Sequence, residues 1–185
     1  MALTKTPVCD FGKKAEDFKL KSIENKIISL NDVKGEKATL IMFICNHCPY
    51  VKAIIRDLAK DCNELKKDGI NSVAIMSNDT KNYPEDSFDN MIKFAKTNKF
   101  GVINYLIDET QEIARKYGAV CTPDFFGYNK ELKLQYRGRF RELKDLKPVS
   151  GGDSDLKIAM KMISETQAGP KEQIPSMGCN IKWFN

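Results

Sequence analysis

Cys45-Asn46-His47-Cys48-Pro49 is the stretch of this 185-residue chain whose residue types and spacing carry chemistry. Two cysteines separated by two residues can close a disulfide and open it again: one thiolate attacks, and the second thiol displaces what the first has bound. An ordinary cysteine, with a pKa of about 8.5, is only a few per cent thiolate at neutral pH. Lowering that value to about 6 takes roughly 3.4 kcal/mol, whereas a helix N-terminus supplies at most about 2. His47, the only histidine in the chain, sits between the two cysteines, where its cation or its N–H adds to the stabilisation of a thiolate. Cys45 is expected to be the exposed attacker at the open end of a helix, and Cys48 the less exposed partner in its first turn. Pro49 leaves a second placement open, because proline disfavours a helical residue before it and suits the first helical position.

The elements around the motif follow from periodicity. Leu40-Ile41-Met42-Phe43-Ile44 is apolar without alternation, which predicts a strand covered on both faces. Val51, Ile54, Ile55, Leu58, Cys62 and Leu65 then form one stripe at helical spacing, closed near Gly69. Upstream, Phe18-Lys19-Leu20 and Ile27-Ile28 around Glu24-Asn25 predict a hairpin, and residues 31–35 a short connection. Downstream come a buried strand at Val73–Met76 and a helix from Pro84, with Phe88, Met91, Ile92 and Ala95 on its apolar face and Glu85 and Asp86 near the dipole's positive end. A strand at Val102–Ile107, a short helix at Glu109–Tyr117, and a hairpin of Phe125–Tyr128 with Leu132, Leu134 and Tyr136 follow. The last helix is expected to start with Asp153 as its N-cap and to stop at Gly169-Pro170.

Composition narrows the function classes. With 42% hydrophobic and 30% charged residues, the chain suits one buried domain over residues 1–185, with its core at about 20–166 and a tail at 167–185. The net charge of +5 is spread along the chain, and Arg137-Gly138-Arg139-Phe140-Arg141 reads as a solvated strand end, so no nucleic-acid partner is expected. Residues 1–12 lack the apolar core of a signal peptide, and no run of about 18 apolar residues exists, so no membrane partner and a cytoplasmic location are expected. There, six cysteines do not make a disulfide framework.

The order strand, helix, strand, helix, hairpin, helix resembles the thioredoxin-like fold, and specifically the redoxin branch of peroxiredoxins of the alkyl hydroperoxide reductase and thiol-specific antioxidant type. The residues that carry the resemblance are Cys45 to Pro49 after an apolar strand, then Asp108 to Phe126, with Ala114, Tyr117-Gly118 and Thr122-Pro123. It implies an α/β fold with a central mixed β-sheet flanked by helices, an N-terminal hairpin, and a redoxin insertion between Val102 and Gly118. It also implies that Thr122-Pro123 is a cis-proline loop facing the dithiol, where the residue before the proline offers backbone hydrogen bonds to a thiol substrate. Histidine before the second cysteine is the pattern of the more oxidising members. The chain departs from thioredoxins in having Thr39 where they bury an acid and Ile44 where they place an aromatic residue. It departs from peroxiredoxins in having Ala38 and Met42 in place of their proline and threonine.

Three functions are thereby expected in order. The first is a thiol-disulfide oxidoreductase cycling Cys45 and Cys48 without a cofactor, against protein or small-molecule disulfides and a reducing dithiol donor. The second is a thiol peroxidase with Cys45 as peroxidatic cysteine and Cys48 resolving its sulfenic acid. The third is a zinc or copper(I) protein using Cys45, Cys48 and another soft ligand, although no second closely spaced ligand pair exists. Of the other cysteines, Cys62 lies on the helix stripe as a core residue and Cys9 in the N-terminal tail. Cys121, two residues before Pro123, and Cys179, beside Gly178 in a tail with aromatic residues at its end, are candidate accessory thiols. For Cys179 two readings stand, a buried packing thiol and a third redox thiol.

Overall fold

Unbroken apolar runs become inner strands because both of their faces need cover, and the two longest flank each other here. In the computed structural model, which describes residues 3–184, strand β1 (Leu3–Lys5) precedes β2 (Lys19–Ser22), β3 (Ile27–Ser29), the single turn α1 (Leu30–Val33), β4 (Ala38–Phe43) and the long helix α2 (Pro49–Leu65). Next come β5 (Ile70–Met76), α3 (Phe88–Thr97), β6 (Asn104–Ile107) and α4 (Glu112–Tyr117). The remainder comprises β7 (Cys121–Thr122), β8 (Asp124–Asn129), β9 (Leu134–Tyr136), β10 (Leu143–Lys144), β11 (Lys147–Pro148), α5 (Asp155–Thr166) and β12 (Met177–Asn180).

The main sheet runs β3-β2-β6-β5-β4-β8-β9 and is mixed. Strand β4 is parallel to β5 and antiparallel to β8, with Phe43 opposite Ile75 on one side and Asp124 on the other. All six residues of β4 are buried. Its alternate side chains enter two cores: Leu40 and Met42 join Leu58 of α2 and Met160 of α5, while Ile41 and Phe43 join Tyr117 of α4 and Phe126 of β8. Every stripe residue predicted on α2 is buried. Gly69 ends the following 3-10 turn in the left-handed region at φ 76°, where a β-carbon would be strained. This is the thioredoxin-like arrangement, with helices on both faces of a mixed sheet.

Several local expectations differ. Residues 31–35 are not all connection: α1 is fixed by a capping box between Ser29 and Asp32. Asp153 does not cap α5. Ser154 does, accepting from the Lys157 N–H, while Asp153 pairs with the Lys157 ammonium at 2.7 Å, so the longer acid serves a charge and the hydroxyl serves the backbone. Helix α5 stops at Thr166, before Gly169. Pro84 opens a 3-10 turn that ends before α3 begins, and Ile92 lies on the outer face of α3, 38% exposed. Val102 is likewise exposed and precedes β6, and α4 starts at Glu112 instead of Glu109. The basic cluster is not a solvated strand end: Arg137 is buried against Asp124 at 2.9 Å and lies over the Phe126 ring.

The tail is part of the fold. Strand β12 pairs with β1 and β7, forming a second sheet in which Cys179 lies opposite Leu3 on one side and Thr122 on the other. Ile181 is buried, and Trp183 takes the Arg115 guanidinium over its ring at 4.2 Å. Among the described residues, no helix is long and apolar enough to cross a membrane.

Candidate active site

Strand β4 ends at Phe43, and the Ile44 N–H still bonds to the Ile75 carbonyl at 3.1 Å, so the motif leaves the sheet at its centre. Helix α2 begins at Pro49, and Cys48 is its N-cap, with extended backbone. The second of the two placements open to Pro49 is therefore the one adopted. Cys48, not Cys45, stands at the open end of the helix, because proline fits the first helical position and pushes the residue before it out of helical geometry.

Cys45 was expected to be exposed, yet it is buried to 1%, and Cys48 to 0%. The cover comes from three directions. The Thr122-Pro123 peptide bond is cis, as the family resemblance implies. Its loop presents the Thr122 hydroxyl to Cys45 Sγ at 3.4 Å and the Thr122 carbonyl to the Cys48 thiol at 3.1 Å. From the turn before α3, Asp86 reaches beneath the motif, and from the tail β12 lays Cys179 against Cys48. The cis-proline loop is itself anchored by Asp124, which accepts from the Val120 N–H at 3.1 Å and from Arg137. Burial pushes the Asp124 carboxyl up, against the opposing pull of Arg137.

Asp86 is the residue that sequence reasoning misplaced. It is wholly buried, and its oxygens accept from the Asn46 N–H at 2.8 Å, the His47 N–H at 3.3 Å, the Asn78 amide at 2.8 Å and His47 Nδ1 at 2.7 Å. These bonds fix both residues between the cysteines. The hydrogen bond to Asp86 raises the His47 pKa, against desolvation that lowers it. Burial alone would raise Asp86, but bonds from His47 and Asn78 hold its carboxyl below the usual range. The imidazole stacks on Tyr83 at 5.6 Å, with Nδ1 3.8 Å from Cys45 Sγ. Asn46 closes the frame, accepting from the buried Tyr105 hydroxyl at 2.8 Å. The only signal for Asp86 in the sequence was an acid beside a proline, which reads equally as a helix-start residue.

The two thiols shift each other in opposite directions. Interaction with the Cys45 thiol lowers Cys48 despite its burial, and the Val51 and Cys179 backbone act in the same direction. Cys45 is pushed well up by its interaction with Cys48, by burial and by the Asp86 charge. The Asp86 carboxylate disfavours charge on Cys45, so of the two sulfurs Cys48 is the one whose thiolate is favoured. Cys62 lies in the α2 core, where burial pushes its thiol up to about 12, and Cys9 is pushed up to about 11 by desolvation. Cys121 is buried, donates to the Pro123 carbonyl at 3.6 Å and is raised by desolvation.

Donor atoms of Cys45, His47 and Asp86 lie within 4.8 Å of one another. The expected metal set of Cys45, Cys48 and a soft ligand is not this cluster, and the 2.7 Å between His47 and Asp86 is a hydrogen-bond separation. Two ligands bound tetrahedrally to zinc, each at about 2.0–2.1 Å, stand about 3.3 Å apart. As arranged, the histidine and the carboxylate hold a proton between them.

This geometry defines a dithiol site on a thioredoxin-like scaffold. The chain belongs to the AhpC/TSA family, whose model matches residues 11–139. It is similar over 100% of its length to an uncharacterized conserved protein from Geobacillus kaustophilus, at 39% identity and a TM-score of 0.94, covering 97% of that chain. It also resembles a hypothetical protein from Sinorhizobium meliloti 1021, at 36% identity and a TM-score of 0.90, covering 98% of each chain. The thioredoxin domain of a thiol-disulfide oxidoreductase from Bacteroides vulgatus matches at 20% identity and a TM-score of 0.58, over 69% of this chain and 86% of that one, and shares the fold. No curated protein sequence matches the chain.

Proposed function

We propose that this protein is a cytoplasmic thiol-disulfide oxidoreductase that cycles Cys45 and Cys48 between dithiol and disulfide. The observation that carries the reading is the placement of two buried cysteine sulfurs against the Thr122-Pro123 loop, Cys45 Sγ 3.4 Å from the Thr122 hydroxyl and Cys48 Sγ 3.1 Å from its carbonyl. Cys48 is enclosed by Cys45, the Thr122 carbonyl and Cys179, whereas Cys45 adjoins His47, whose side chain reaches solvent at 13% exposure. Cys45 is therefore the attacking sulfur: its proton passes to Cys48 as it bonds to one sulfur of a substrate disulfide, and the other leaves as thiolate. That thiolate takes the proton back from Cys48. Cys48 then attacks Cys45 Sγ, releasing the second substrate thiolate and leaving the Cys45–Cys48 disulfide for a dithiol donor to reduce. Thr122 holds the incoming sulfur in line and Pro123 shapes the loop.

A second reading is favoured by one contact, the Thr122 hydroxyl 3.4 Å from Cys45 Sγ. That hydroxyl can bond a peroxide oxygen while Cys45 takes the other, yielding an alcohol or water and a sulfenic acid, which Cys48 converts to the disulfide with loss of water. Parallel assays with dithiothreitol as donor separate the two. The first reading predicts reduction of a protein disulfide well above the donor's own rate and little peroxide consumption; rapid peroxide turnover with inert disulfides reverses the order. Subcellular fractionation tests the location.

A further inference from the structure

The mechanism above uses two sulfurs, but three meet at the site. Cys179 is 4% exposed and belongs to the same packed cluster as Cys45 and Cys48. Register puts it there: Cys179 lies opposite Thr122, the residue whose carbonyl meets the Cys48 thiol, and β12 packs against α2. The preceding residue makes the approach this close. A β-carbon on Gly178 would collide with the Thr122 carbonyl oxygen and stand 3.1 Å from Pro123 Cδ, so only glycine lets β12 press onto the cis-proline loop. The Cys48 and Cys179 thiols perturb each other as close neighbours do, Cys179 helping to lower Cys48 and Cys48 helping to raise Cys179.

We infer that Cys179 is a third redox thiol, which attacks Cys48 in the Cys45–Cys48 disulfide and moves the bond to Cys48–Cys179. This rests on the dithiol cycle proposed above. The step is an isomerisation that needs no further oxidant. The Cys179 sulfur bonds to Cys48 Sγ, the Cys45–Cys48 bond breaks, Cys45 leaves as thiolate, and the proton lost by Cys179 passes to it. The outcome is a tail tied to the start of α2 and a Cys45 thiol freed for a second attack while the protein still carries a disulfide.

The oxidation state of the pair gates this step. In the dithiol form, burial pushes Cys179 up to about 12, with the hydrogen bond and charge of Cys48 adding to the rise. Once Cys48 is in a disulfide, its charge is gone and the Lys182 cation, which favours the Cys179 thiolate, acts unopposed by it. Cys121 is not the partner, since its thiol is engaged with the Pro123 carbonyl.

Trypsin separates the sulfurs: Cys45 and Cys48 fall on peptide 38–52 and Cys179 on peptide 172–182. The wild-type protein is oxidised with substoichiometric diamide, quenched in acid, alkylated and mapped by tandem mass spectrometry. The inference expects peptides 38–52 and 172–182 joined through Cys48, with Cys45 alkylated, beside the internal Cys45–Cys48 form. It expects the joined pair to be the main product in Cys45→Ser. An internal disulfide in 38–52 with Cys179 alkylated throughout, and no joined pair in Cys45→Ser, overturns the inference and leaves the dithiol cycle standing. Both cysteines of 38–52 alkylated after oxidation, with no joined pair, overturns the cycle and the inference together.

Discussion

Replacing His47 by alanine takes away the imidazole that stands between Cys45 and Asp86, and its effect can be sized from the structure. Nδ1 lies 3.8 Å from Cys45 Sγ in a pocket where the histidine side chain is 13% exposed. A unit charge at about that distance is worth about 1 kcal/mol in water and about 4 kcal/mol at an effective dielectric of about 20. At about 1.4 kcal/mol per pKa unit, the first deprotonation of the pair should rise by about 1 to 3 units. The direction is reinforced by Asp86, whose carboxylate, left without its cation, opposes a thiolate next to it. Linkage gives the same sign: charge on Cys48 raises His47, so charge on His47 favours the Cys48 thiolate. The assay is ultraviolet thiolate absorbance of the reduced protein against pH, with circular dichroism to confirm that the variant is folded. The disulfide should also become less oxidising, by about 30 mV for each 1.4 kcal/mol. Identical titrations in wild type and His47→Ala would refute the reasoning.

Other outcomes follow from the contacts around the pair. The His47–Asp86 pair makes reduced-state stability depend on pH: His47 is raised above 6.5, so its share is complete below that value and is lost as pH rises through the folded-state pKa. Asp86 is lowered below 3.8, so its share is present above that value and lost as pH falls through the folded pKa; urea unfolding across pH should show both flanks, and Asp86→Asn should flatten them. Arg137→Met should cost about 3–5 kcal/mol in urea unfolding, because it strands Asp124 as an unpaired buried carboxylate under the cis-proline loop. Gly178→Ala should cost about 1–3 kcal/mol by overpacking against Thr122, and a wild-type midpoint would mean that β12 does not press on the loop as described.

What the sequence made legible were the features whose cause is local. The unbroken run into Cys45 and the stripe from Val51 to Leu65 each state a period, and β4 and α2 follow them almost residue for residue. The cis-proline loop was readable through family resemblance, since two residues alone do not specify an isomer. Asp86 was not readable as a site residue, because its partners Asn46 and His47 lie about forty positions earlier and no period links them. The same holds for Arg137, whose burial depends on Asp124 meeting it across the sheet. The expected exposure of Cys45 failed for a related reason: the residues that cover it come from three distant segments. Cys179 was legible only as a cysteine beside a glycine near an aromatic tail; its place against Cys48 comes from strand register.

The central claim is that Cys45 carries the exchange and Cys48 resolves it, and the most direct test is dithiol-driven turnover of a protein disulfide by single-cysteine variants. Cys45→Ser is predicted to fall to the uncatalysed rate. Cys48→Ser is predicted to accumulate a mixed disulfide between Cys45 and the substrate, visible as an added mass on peptide 38–52 that dithiothreitol removes. Turnover by Cys45→Ser at a substantial fraction of the wild-type rate would contradict the account.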